Sequence, residues 1–163
     1  MDSPKFIVDA NVGKLAKWLR MAGYDTLFFN GSNDSQMIAI AKDEARVLLT
    51  KDTRIMKRRV VTSGQIKVIL IRGDESEHQM LQVIDTLGLN SFFKPFTICL
   101  ECNQLLMEKS KPQVEDRVPH YVFQTQDQYM ECPNCHRLYW RGTHWQAMTE
   151  RLKKFSHHST ESH

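Results

Sequence analysis

No uninterrupted apolar stretch of the sequence approaches the roughly 20 residues needed to span a membrane. The first residues, Met1-Asp2-Ser3-Pro4, carry neither a basic segment nor an apolar run. A membrane partner is therefore not expected, and a cytoplasmic protein is. Cysteine is scarce and none is spare, because all four fall into two CxxC pairs. That pattern speaks against disulfides or a redox dithiol and, in a reducing compartment, for metal. Charge of one sign is also lacking: a net charge of +3 permits a nucleic-acid partner without demanding one, so any basic surface must be local. With 163 residues, 41% of them apolar and 25% charged, the chain can build one sizeable core and a small appendage, but not two cores.

The first ninety-odd residues alternate between two periods. Phe6-Ile7-Val8, after Lys5, is a short apolar run that stops at Asp9, and it predicts a strand buried on both faces. Val12, Leu15, Ala16 and Leu19 then recur at helical spacing, with Lys14, Lys17 and Arg20 on other faces and Gly23 at the end. That cationic face can meet phosphate or simply be solvated. Tyr24 to Phe29 reads as a second strand, followed by a helix starting at Asn33 or Asp34. Arg46 to Thr50 repeats the first strand and ends beside Asp52, and a short helix is expected over 53–59. Ile66 to Ile71 reads as a fourth strand ending near Asp74, and Glu75 to Leu87 as a helix closed by Gly88.

Strand and helix alternate four times, which predicts a parallel α/β sheet with every strand's carboxyl end on one edge. Asp9, Asp52 and Asp74 then follow three such ends, and Asp34 opens a helix on the same edge. Each acid taken singly can be a helix cap. Taken together they form a like-charge cluster, in which two charges about 4 Å apart repel by roughly 4 kcal/mol at an effective dielectric near 20. A bridging cation relieves that repulsion, and hard carboxylate oxygens select Mg²⁺ or Mn²⁺, ions suited to phosphodiester hydrolysis.

Cys99-Leu100-Glu101-Cys102 and Cys132-Pro133-Asn134-Cys135 are each entered by a strand-like run, the arrangement of a zinc ribbon with four thiolates on one structural Zn²⁺. The long interval between the pairs predicts an extended excursion over 103–131. Asn103 and His136 stand just past each pair and tolerate left-handed backbone. Arg137-Leu138-Tyr139-Trp140 gives a final strand, and Thr143 is placed as cap of a helix through Phe155. The aromatic residues here either stack on bases or cement the ribbon to the first domain. His144 is a candidate phosphate or nucleobase contact. The tail 156–163 is polar, and disorder is expected there.

The segment Asp9-Ala10-Asn11-Val12-Gly13-Lys14-Leu15-Ala16-Lys17-Trp18-Leu19-Arg20, then Gly23-Tyr24-Asp25, then Leu48-Leu49-Thr50-Lys51-Asp52 with basic Arg58, resembles the PIN-like ribonucleases of the Mut-seven C-terminal (Mut7-C) family. The resemblance runs from about residue 5 to 152. It implies a PIN-like parallel sheet flanked by helices over 1–95, a zinc ribbon with a C-terminal helix over 96–155, RNA as substrate, and hydrolysis dependent on a divalent metal. Asp9, Asp34 and Asp52 match the family's acidic positions, and Glu75 and Glu77 compete with Asp74 for the fourth. The expected catalytic set is Asp9, Asp34, Asp52 and Asp74, with Lys14, Lys17, Arg20, Arg58, Arg137 and His144 on RNA. Trp18 either packs or stacks. Two further readings stay open: a module that binds RNA or a ribonucleoprotein without turnover, and a phosphotransfer receiver-like domain.

Overall fold

The computed structural model describes residues 3–89, 93–142, 145–151 and 153–154. Thr143, His144 and the tail 156–163 lie outside the described residues.

Four parallel strands, β1 (Lys5–Asp9), β2 (Thr26–Phe29), β3 (Arg46–Thr50) and β4 (Val68–Leu70), form one sheet in the order β2-β1-β3-β4. β1 and β3, the two strands with the most buried residues, take the two central places, where both strand faces and both edges are covered. Their side chains alternate between two cores. Phe6, Val8, Val47 and Leu49 face one core, which includes α1 (Lys14–Met21) and α4 (Ser76–Leu87). Ile7 and Leu48 face the other, with Met37, Ile38 and Ala41 of α2 (Asp34–Asp43). β4 is shorter than the expected 66–71, although Ile71 still donates to the Thr50 carbonyl at 2.7 Å. The helix expected over 53–59 is split into a 3-10 turn, Ile55–Lys57, and α3 (Arg59–Thr62), because Arg58 between them is extended at ψ 143°.

Beyond Phe96 the chain builds a second, antiparallel sheet of β5 (Met107–Lys109), β6 (Tyr129–Glu131) and β7 (Leu138–Trp140), in that order. The expected excursion over 103–131 is not simply extended: it contains β5 and two short helices, α5 (Lys111–Val114) and α6 (His120–Thr125). Val114 and Val122 pack there on the fully buried Tyr129. The described residues of 145–154 are helical and are labelled α7. Trp145 at the start of α7 meets Phe96 edge-on at 4.8 Å and Tyr139 at 5.8 Å, so these rings join the second sheet to the α1–α4 core. Among the described residues no helix is long and apolar enough to cross a membrane.

Candidate active site and metal centre

Asp9 ends β1, and its carboxylate is held by three donors. The Ala10 backbone N–H donates to Oδ1 at 2.8 Å, the Thr50 hydroxyl to Oδ2 at 2.7 Å, and the Asn11 side-chain Nδ2 to Oδ2 at 3.4 Å. The Thr50 oxygen also accepts the Asp52 backbone N–H at 3.0 Å. One buried hydroxyl at the end of β3 therefore fixes the Asp9 carboxylate and the Asp52 backbone together. The Asp52 side chain turns to Arg54, whose backbone N–H, Nε and Nη2 donate at 2.9, 3.1 and 3.1 Å. Those hydrogen bonds hold the Asp52 carboxyl below its ordinary pKa.

Asp34 opens α2 without capping it. Asn33 is the cap, accepting from the Ser35 and Gln36 amides at 2.9 and 3.3 Å. The Asp34 carboxylate is left for other uses, and it adds to the field with which Asp52 raises the Arg54 pKa. Arg58 reaches the same helix start, donating to the Ser35 hydroxyl at 3.1 Å. Asp74 stands on the rim, its side chain 97% exposed and paired with Lys51, which lowers its pKa. The Lys51 amide in turn donates to the Asn11 side chain at 3.2 Å. Asp9, Asp34 and Asp52 thus belong to one edge and offer hard oxygen donors of the kind that suits Mg²⁺ or Mn²⁺. Among the described residues, however, no three carboxylates gather as tightly as the four cysteines do. The groups that sequence reasoning overlooked are Thr50, Arg54 and Lys51. Thr50 carries the only signal, a hydroxyl one position before a polar strand end.

The expected basic face of α1 is corrected at one position. Lys14 and Lys17 are exposed, but Arg20 is buried, with Nε donating to the Thr26 carbonyl at 2.9 Å and Nη1 to the Leu100 carbonyl at 2.7 Å. Its guanidinium is spent on a joint between β2 and the cysteine module and does not face a polyanion. Trp18 resolves toward packing: it is buried in the core and donates to the Ser76 hydroxyl at 3.1 Å.

The sulfurs of Cys99, Cys102, Cys132 and Cys135 all lie within 4.8 Å of one another, and no disulfide joins them. Four such donors can hold one zinc ion in a closed tetrahedron. The two knuckles are built alike. Asn103 and His136 donate their backbone N–H to the Cys99 and Cys132 carbonyls at 3.0 and 2.9 Å. Both sit at positive φ, 61° and 64°, where the sequence anticipates left-handed backbone. Polar groups surround the sulfurs: the Asn134 amide reaches Cys102 at 3.3 Å, and the Tyr139 hydroxyl reaches Cys99 at 3.2 Å. The Arg137 backbone draws Cys135 down to about 7, whereas burial pushes Cys132 up to about 11. Arg137, expected on RNA, is exposed behind this second knuckle.

A family model described as the Mut7-C RNAse domain matches residues 4–152. No curated protein and no solved structure matches the chain.

Proposed function

The chain belongs to the Mut7-C RNAse domain family, and from that premise we propose that it is a divalent-metal-dependent ribonuclease working at the carboxyl edge of the parallel sheet. The observation that carries this reading is the shared Thr50 hydroxyl. It sets a carboxylate from β1 and the backbone of Asp52, two residues past β3, at a fixed mutual position, more elaborately than helix capping requires. Asp9, Asp34 and Asp52 would hold Mg²⁺ or Mn²⁺, which supplies charge neutralisation at the phosphodiester and an activated water. Asp9 is pre-set for this by its Ala10 and Thr50 donors, so its oxygens need little reorganisation. Asp52 must first exchange Arg54, whose side chain is 85% exposed and free to swing. Arg54, Arg58, Lys14 and Lys17 then present cations to the phosphates on either side of the cut. Asp74, paired with Lys51, would stand at the margin of the same edge.

The ribbon would carry structural zinc and help to hold RNA. Thiols committed to metal, with none paired in disulfides, support a reducing, cytoplasmic setting. Labelled RNA incubated with Mn²⁺ and the purified chain tests the reading. Asp9→Asn and Asp52→Asn are each expected to lower cleavage by at least about a hundredfold while leaving zinc content and the fold intact; undiminished cleavage in both variants refutes the assignment. The rival reading, a module that grips RNA without cutting it, draws on the hold of Arg54 on Asp52. Full RNA binding by the wild-type chain with no cleavage across divalent metals would favour it.

A further inference from the structure

Two open clefts lie along α7. The first, about 650 Å³, is lined by Gly13, Lys14 and Lys17 on one side and by Glu101 and Arg151 on the other. It begins where the aspartate edge stops, since Gly13 and Lys14 follow directly on the turn that Asp9 caps. The second, about 610 Å³, lies in the cysteine module among α6, β7 and α7. Leu100 lines both, so the two clefts flank one side chain.

The walls of the second cleft are suited to flat, polar-edged rings. Trp145 and Tyr139 are occupied in packing against Phe96 and each other. Tyr121 is not: it is 69% exposed and belongs to none of the buried clusters. Trp140 lies half-buried across the same space, packed against the Val114, Val122 and Tyr129 cluster, and a Cβ at Gly142 would come within 3.1 Å of its indole Nε1. The amide side chains of Gln126 and Gln146 and the Arg141 cation complete the lining, and no carboxylate is among its described residues. Along the two clefts Lys14, Lys17, Arg141 and Arg151 face only Glu77 and Glu101. Those two acids are already paired, with Arg151 at 3.3 Å and Lys17 at 3.1 Å. Exposed ion pairs of this type are worth at most about 1 kcal/mol, so a phosphodiester can take the place of either carboxylate.

We propose that the two clefts form one track for single-stranded RNA, in which the strand leaves the aspartate edge past Lys14 and Lys17, crosses Leu100, and stacks an unpaired base on Tyr121 and Trp140. The starting point of the strand rests on the nuclease reading. The single-stranded form follows from the aromatic cleft: bases inside a duplex have no free faces to offer a ring, whereas unpaired bases do.

The test uses the full zinc-bound chain carrying Asp9→Asn, so that binding is read without cleavage. Fluorescence anisotropy compares a labelled single-stranded RNA with a duplex of the same length. Tyr121→Ala is expected to weaken single-strand binding about tenfold and Tyr121→Trp to restore it, with duplex binding weaker and insensitive to both. Lys17→Ala is expected to lower the salt dependence of single-strand binding by about one ion. Because Tyr121 is exposed, its variants should melt with the parent. An unchanged single-strand affinity in Tyr121→Ala, or an equal loss on duplex, overturns the track. Cleavage by the chain with native Asp9, measured separately, decides the nuclease reading whichever way that result falls.

Discussion

At the scale of single residues, the Thr50 hydroxyl holds the site's geometry. Thr50→Val keeps the shape but leaves the Asp52 N–H without its acceptor and Asp9 without its shortest donor. Losing a buried partner of this kind costs about 1–3 kcal/mol. Urea unfolding is expected to show a loss in that range, with cleavage falling alongside it, and Thr50→Ser to recover most of both. A second residue governs behaviour in acid. Burial would raise the Asp25 pKa, but hydrogen bonds from Arg46 at 2.9 Å and Asn103 at 2.6 Å outweigh it and hold the carboxyl below its ordinary value. A carboxyl depressed on folding contributes stability above its unfolded pKa, about 3.9, and loses that contribution as pH falls through the folded value. Asp25→Asn is therefore expected to be less stable than the parent at neutral pH, with the gap closing below about pH 4 in denaturant titrations run at both pH values. Asp9 and Asp52 were legible as strand-end acids, because Asp9 closes one short apolar run and Asp52 follows another by two polar residues. Arg20 and Arg54 were not legible, since what they do depends on carbonyls and carboxylates brought to them by other elements, and a lysine-like spacing on α1 gave Arg20 the look of a surface cation.

At the scale of elements, the period of apolar residues fixed the main strands and helices, and deviations arose where single backbone conformations cut a pattern short. Arg58 splits the helix expected over 53–59, and the short helices within 103–131 have too few turns to show a period. Gly23 illustrates a junction that composition alone does mark. It ends the α1 segment at φ 97°, and a Cβ there would meet the Lys94 carbonyl oxygen at 2.6 Å. The neighbouring Ala22 carbonyl accepts the Lys94 amide at 2.7 Å, so the chain entering the cysteine module is laid directly against this turn. Gly23→Ala combines a disfavoured φ with a backbone clash, and a loss of about 2 kcal/mol or more is expected, read as a melting temperature several degrees lower.

At the scale of the whole molecule, a parallel sheet and a four-cysteine module were both readable, the first from alternating periods and the second from paired spacing. Their docking was not, because it runs through polar contacts at the first knuckle. Leu100 gives its carbonyl to Arg20, and Asn103 accepts the Thr26 amide at 2.8 Å while donating to Asp25. Binding zinc to four thiolates contributes on the order of 10 kcal/mol to folding such a module. Chelation is therefore expected to abolish the near-ultraviolet circular dichroism of Tyr139 and Trp145 first. It should also lower the melting temperature of the remaining sheet by several degrees, beyond what an independent appendage would cause, and zinc should restore both.

The Asn103 bond to Thr26 has one more outcome. β2 is the outermost strand on its side of the sheet, and the Thr26 amide faces away from β1. Asn103 covers that amide only while the first knuckle is shaped. A chain stripped of its metal would bare that Thr26 donor on the sheet edge, close in sequence to the exposed Phe28, the kind of border on which further copies pair. Metal-depleted chain held at high concentration is thus expected to aggregate slowly when zinc is not returned, read as light scattering that grows with time.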